Sequence, residues 1–241
     1  MFKILLICVL SFAICSAQNP TQVAQNYCKT VNCKSETSIA CQYKSNANMK
    51  CKGQLQKLDN EAIVKYFNSK RNDIALGKVT GYEPAVNMQT IKWNKELEQM
   101  AKYNVMTCKF EHDKCRNTNN FRQSGQNLYY MWSTKSNVNI SSVVLNGLKS
   151  WFDEYKLCDM SYIDNYRNSP NMIGHFTAMV KDNNNYLGCA LNKYPSDKGT
   201  TYLLACNFAS TNVLSRPIYL SGPSASKCPG GKNSQYPGLC K

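Results

Sequence analysis

The sequence predicts an α+β sandwich, and three observations carry that expectation. Apolar residues recur at helical spacing in several segments between Asp59 and Asp159. Short strand-like runs, divided by turn-forming clusters, follow them. Strands and helices do not alternate as they would in βαβ units, which argues against a doubly wound parallel sheet.

Met1–Ala17 has the pattern of a secretory signal. Lys3 supplies the positive start, Ile4–Ile14 is apolar, and Cys15-Ser16-Ala17 offers small residues for cleavage. The apolar run is shorter than the ~20 residues a membrane-spanning helix needs, and no later stretch approaches that length. The mature chain is expected to begin at Gln18 and to be secreted, without a transmembrane segment. Residues 18–58 form a polar extension rich in Asn, Lys and Ser, with four cysteines. Such a stretch cannot bury enough apolar area to order itself, so disulfides are expected to pin it to the body.

The body spans 59–212. Asp59 is the expected N-cap of a first helix carrying Ile63, Val64, Phe67, Arg71 and Ile74 at helical spacing, with Gly77 closing it. Lys65, Lys70, Arg71 and Asp73 are read as its charged face. A second helix starts at Asn94 and stacks Leu97, Met100, Ala101, Val105 and Cys108 on one stripe. A third starts from a Ser141 cap and carries Val144, Leu145, Leu148, Trp151, Phe152 and Tyr155. Between the last two, Phe110–Asn127 is polar and turn-rich and contains His112. Beyond Asp159, Phe176–Val180, Tyr186–Leu191 and Tyr202–Phe208 read as a strand meander, separated by Asn-rich and Pro/Gly-containing turns. Residues 213–241 form a short Gly-, Pro- and Ser-rich tail with Cys228 and Cys240.

Cysteine and charge bound the function. Removing Cys8 and Cys15 with the signal leaves eleven of the 13 cysteines, and in an exported chain these are expected to form disulfides with one left over. No CxxC spacing suggests zinc. The net charge of +14 favours acidic partners such as sulfated polysaccharide, although the lysines are scattered. No basic run interleaved with aromatics points to nucleic acid. Asn139-Ile140-Ser141 is the single N-glycosylation sequon, because Asn19 precedes proline.

Several motifs then carry a resemblance. Gly174-His175-Phe176-Thr177-Ala178-Met179-Val180 is similar to the GHFTQMVW signature of the CAP superfamily, with Lys181 in place of its tryptophan. Leu203-Leu204-Ala205-Cys206-Asn207-Phe208-Ala209 resembles the second signature. Trp93 with Leu97, Gly125-Gln126-Asn127, Asn26-Tyr27-Cys28, Glu111–Arg116 and the Tyr236-Pro237-Gly238-Leu239-Cys240 ending resemble the antigen 5 branch found in insect venom and saliva. The resemblance implies an α-β-α sandwich around a three-stranded antiparallel sheet. It also implies disulfides Cys28–Cys41, Cys33–Cys115, Cys51–Cys108, Cys189–Cys206 and Cys228–Cys240, leaving Cys158 free.

Many members of that family hold two His and two Glu in a central cleft. Carried over, those positions fall at Phe67, Gln126, Glu154 and His175, so half of the set is lost. Phe67 donates nothing and Gln126 offers only a neutral carbonyl, whereas a zinc or copper site wants about three or four donors. No metal, cofactor or catalytic residue is expected. The resemblance implies a secreted, monomeric, non-enzymatic effector that interferes with host haemostasis or immunity. Its partner would be a small lipid, held in an apolar groove of Val64, Phe67, Leu148 and Phe152, or an acidic polysaccharide or receptor. The alternative is a metal-dependent or acid–base enzyme using Glu154 and His175.

Overall fold

In the computed structural model, residues 27–28, 32–46, 49 and 51–241 are described, and the expected signal segment lies outside them. The elements in order are α1 (Ile39–Ser45), β1 (Gln54–Leu55), α2 (Asn60–Ala75), β2 (Lys92–Trp93), α3 (Lys95–Val105), β3 (Gly125–Ser133) and α4 (Ile140–Asp153). A 3-10 turn (Glu154–Leu157), α5 (Met160–Asp164), α6 (Gly174–Val180), β4 (Tyr186–Ser196) and β5 (Gly199–Phe208) complete the chain.

The sheet has five strands, not three. Antiparallel β4, β5 and β3 form its body, in the order β1-β4-β5-β3. The two-residue β1 and β2 add to β4, antiparallel at Asn192–Lys193 and parallel at Tyr186–Leu187. Both faces are covered. Ala101 and Val105 of α3 pack on Leu128, Ala190, Leu203 and Ala205. On the other face α2, α4 and α6 pack on Leu187, Leu191, Leu204 and Phe208. Alternate residues of β5 therefore serve opposite layers, which is why both its faces read as apolar. Gly188 lets α3 approach β4, since a Cβ there would meet the Glu98 nitrogen and its Cα at under 3 Å.

Four helices start where their N-cap side chain satisfies a free backbone N–H, among them α5, where Asp159 accepts from Ser161. Asp59 accepts from Ala62, and Asn94 accepts from Glu96 and Leu97. The cap of α4 is Asn139 rather than Ser141, and its oxygen accepts from the Ser142 nitrogen. Gly77 ends the α2 turn at φ 69°, a left-handed value glycine adopts without a Cβ clash.

Four sequence expectations fail here. Phe176–Val180 is helix, not strand: all five residues are buried, so no polar face reveals a period. The third long strand is instead β3, whose first residues, Gln126 and Asn127, are polar yet buried. Arg71 is fully buried rather than on a charged face, and Cys108 falls outside α3 at φ 56°. The guanidinium of Arg71 donates to the carbonyls of Gln89, Met179, Lys181 and Asp182, tying α2 to the end of α6. The extension also contributes apolar contact, with Ile39 and Ala40 of α1 packed on Met100 and Tyr103.

Among the described residues five disulfides join Cys28–Cys41, Cys33–Cys115, Cys51–Cys108, Cys189–Cys206 and Cys228–Cys240. Cys189 and Cys206 are direct cross-strand neighbours. Cys158 is free and buried. The tail docks Ile218, Tyr219 and Leu239 into the main core. Among the described residues no helix is long and apolar enough to cross a membrane.

Candidate functional site

His175 lies in the first turn of α6, and Glu154 sits where α4 ends. One Glu154 oxygen accepts the backbone N–H groups of His175 and Phe176, at 2.9 and 3.0 Å. The other accepts the His175 ring Nδ1 at 2.5 Å. The carboxylate thus caps a short helix that has no side-chain cap of its own. With Nδ1 donating to it, the His175 ring in its neutral form leaves the Nε2 lone pair free. Trp151 stacks on this imidazole, with centroids 6.0 Å apart and planes 17° from parallel, and is itself anchored to the Leu128 carbonyl.

Gln126, at the start of β3, organises the opposite side. Its amide nitrogen donates to Asp113 at 2.8 Å and to the Asn207 side-chain oxygen at 3.0 Å. A carboxylate only accepts, so the Gln126 oxygen must turn the other way, and it meets His112 Nδ1 at 2.9 Å. His112 therefore also carries its proton on Nδ1 and leaves Nε2 free. Burial, with help from the nearby Arg116 and His175, holds the His112 imidazole below its ordinary pKa and keeps it neutral. Asp113 is braced by the Asn104 amide at 2.7 Å and by Arg116 at 3.6 Å, and burial raises its pKa.

The structure redraws the expected set of four. Glu154 pairs with His175 and Gln126 pairs with His112, but Phe67 joins neither: it is fully buried and packs edge-on against Phe208. The second imidazole is His112, which also lines a surface pocket with Asn104 and Asp113. Sequence spacing could not reveal it, because it sits on an irregular loop and reaches the site only through Gln126. The short Gly125-Gln126-Asn127 motif, with His and Asp a dozen residues before it, is the one available signal.

The donor set does not fit a tightly held metal. Two imidazole nitrogens remain, while Glu154 is engaged by three donors and Gln126 by His112, short of the roughly three protein ligands even a catalytic zinc requires. Among the described residues no cluster of three or more His, Cys, Asp or Glu is placed to hold an ion. Acid–base chemistry has the His175 Nε2 as its basic atom, without a nucleophile bonded to it.

A second feature lies between α2 and α4. Their first two turns enclose an apolar cavity of about 250 Å³. Leu58, Ala62, Ile63 and Tyr66 form one wall and Ile140, Val144, Leu145 and Leu148 the other, with Lys57, Asp59 and Ser141 at the polar rim. Of the four residues expected in an apolar groove, only Leu148 lines it. Phe67 and Phe152 are core residues, and Val64 faces a separate surface cleft beside Trp93 and Tyr236.

Comparison with known proteins places these features. The model of the "CAP: Cysteine-rich secretory protein family" matches residues 64–208. Venom allergen-1 of Aedes aegypti is 37% identical over 222 residues, covering 89% of this chain and 87% of its own. Venom allergen 5.02 of the hornet Vespa crabro is 33% identical over 207 residues, covering 80% and 98%. The solved structure of BmVAL-1 superposes with a TM-score of 0.62 at 25% identity, over 79% of this chain and 97% of that one. With the three-layer core, the capped His175 turn and the cysteine framework, these matches make the chain a member of the CAP family of cysteine-rich secretory proteins, related to insect venom allergens.

Proposed function

We propose that the protein is a secreted, non-enzymatic effector of venom or saliva that sequesters a small anionic amphiphile, a lipid mediator of the host, in the α2–α4 cavity. One observation carries the reading: helices that could bury their stripes fully against each other instead leave an apolar chamber with a lysine at its rim. Its volume lies just below the roughly 300–1,000 Å³ typical of ligand pockets, which suits one short acyl chain rather than a bulky lipid. Lys57 is exposed and placed to pair with a carboxylate or sulfate head group. The names of the mosquito and hornet relatives support delivery in a secretion, and the disulfide framework supports an oxidising, extracellular setting. Removal of such a mediator would blunt host haemostasis or immunity.

Titration with a dansylated fatty acid tests this. Burial is worth about 0.8 kcal/mol per methylene, so shortening a competing fatty acid by two methylenes should weaken it about fifteenfold. Ala62→Trp, which fills the chamber from an exposed position in its wall, should abolish binding while the fold survives. Binding indifferent to both chain length and Ala62→Trp would overturn the reading.

A further inference from the structure

We propose that Asn139 carries an N-linked glycan whose core lies over the mouth of the α2–α4 cavity and sets the rate at which a ligand reaches it. This rests on the cavity being the ligand site, and it adds a modification that regulates it.

Three observations converge. First, Asn139-Ile140-Ser141 is an acceptor sequon and Asn139 is exposed. Second, the residue is the N-cap of α4, and its Oδ1 accepts from the Ser142 nitrogen at 3.2 Å. That bond turns the carboxamide so that Oδ1 faces the helix and Nδ2 points away from it. Glycosylation replaces one hydrogen on Nδ2 and leaves Oδ1 in place, so sugar and cap are compatible. Third, Ile140 and Ser141, the next two residues, line the cavity across from Lys57 and Leu58. The attachment atom therefore stands one residue from the rim. Leu145, on the same wall, leaves 51% of its surface exposed, an apolar ledge that the first sugars would cover.

A glycan there would leave the chamber's lining unchanged. Its effect belongs to the rates of uptake and release, not to the affinity.

The test uses protein secreted from insect cells. Intact mass before and after peptide-N-glycosidase reports the glycan; the enzyme leaves Asp at 139, which still caps, and an Asn139→Asp variant supplies the same cap without ever carrying sugar. Two readouts follow on glycosylated and sugar-free protein. Acetylation of Lys57, measured by mass spectrometry against the exposed hairpin Lys198, should be slowed at least about threefold by the glycan. Association of the dansylated fatty acid should slow by a similar factor, about threefold or more, with Kd unchanged within about twofold. Secreted protein without glycan mass overturns the proposal, and so does a glycan that leaves Lys57 acetylation unaltered. If sugar-free protein takes up no fatty acid, the cavity reading fails, while Lys57 acetylation still decides where the glycan lies.

Discussion

Replacing Glu154 by alanine should destabilise the fold far more than removing His175. Glu154 is 8% exposed, and its two oxygens hold the His175 and Phe176 nitrogens and the His175 ring. Hydrogen bonds to a charged group contribute about 1.5–3 kcal/mol each, so three represent a gross 4.5–9 kcal/mol. The His175 side chain remains 19% exposed, so water can reach the vacated side and recover part of that. The expected net loss is about 3–5 kcal/mol, the range seen when one partner of a buried pair is removed. For a chain of this size that lowers Tm by roughly 6–20 °C. His175→Ala leaves Glu154 capping both backbone groups and should cost only about 1–2 kcal/mol. Glu154→Gln should fall between the two, because the amide oxygen still accepts the backbone N–H groups once the ring moves its proton to Nε2. Urea and thermal unfolding of the three variants decide the order. A Glu154→Ala protein within about 1 kcal/mol of wild type would refute the clamp role.

Other consequences follow from the same contacts. His112 is held neutral by burial, so its folded pKa lies below the unfolded value; the stability tied to it is complete above about pH 6.5 and is lost as pH falls through the folded pKa. His112→Gln should therefore flatten the loss of stability between pH 7.5 and 5.5, and an unchanged slope would remove His112 as its source. Arg71→Lys keeps a charge but only three donors, where the guanidinium makes five bonds to four carbonyls. It should cost about 2–4 kcal/mol in urea unfolding, and Arg71→Met should leave little folded protein. The Cys158 thiol, raised to about 11 by burial, should resist iodoacetamide at pH 7.5 until the protein is denatured, as peptide mapping would show.

Much of the scaffold is legible in the sequence because local rules and packing agree. α2 and α3 each have an acidic or amide N-cap and one apolar stripe, so capping and period agree on where each begins. Agreement lapses where tertiary contact decides. α6 is too short and too buried to display a helical period, and it owes its start to Glu154 from another element. Near the start of β3 lie Gln126 and Asn127, whose burial is offset by the Asn207 side chain and the His175 backbone carbonyl on distant segments. Arg71 reads as surface charge because nothing local announces the four carbonyls that converge on it. At the cleft, His175 and Glu154 follow from motif resemblance. His112 depends on an amide whose orientation Asp113 dictates, and no linear spacing encodes that relay. The cavity is a property of how two helices cross, so their stripes indicate the helices but not the gap between them.

Native mass spectrometry of the protein secreted from insect cells, with organic extraction of what it carries, bears most directly on the sequestering role. The expected result is one small anionic amphiphile per chain in the wild type and none in Ala62→Trp. A wild-type protein that carries no such molecule and takes none from a mixed fatty-acid extract would contradict it, as would a ligand retained equally by Ala62→Trp.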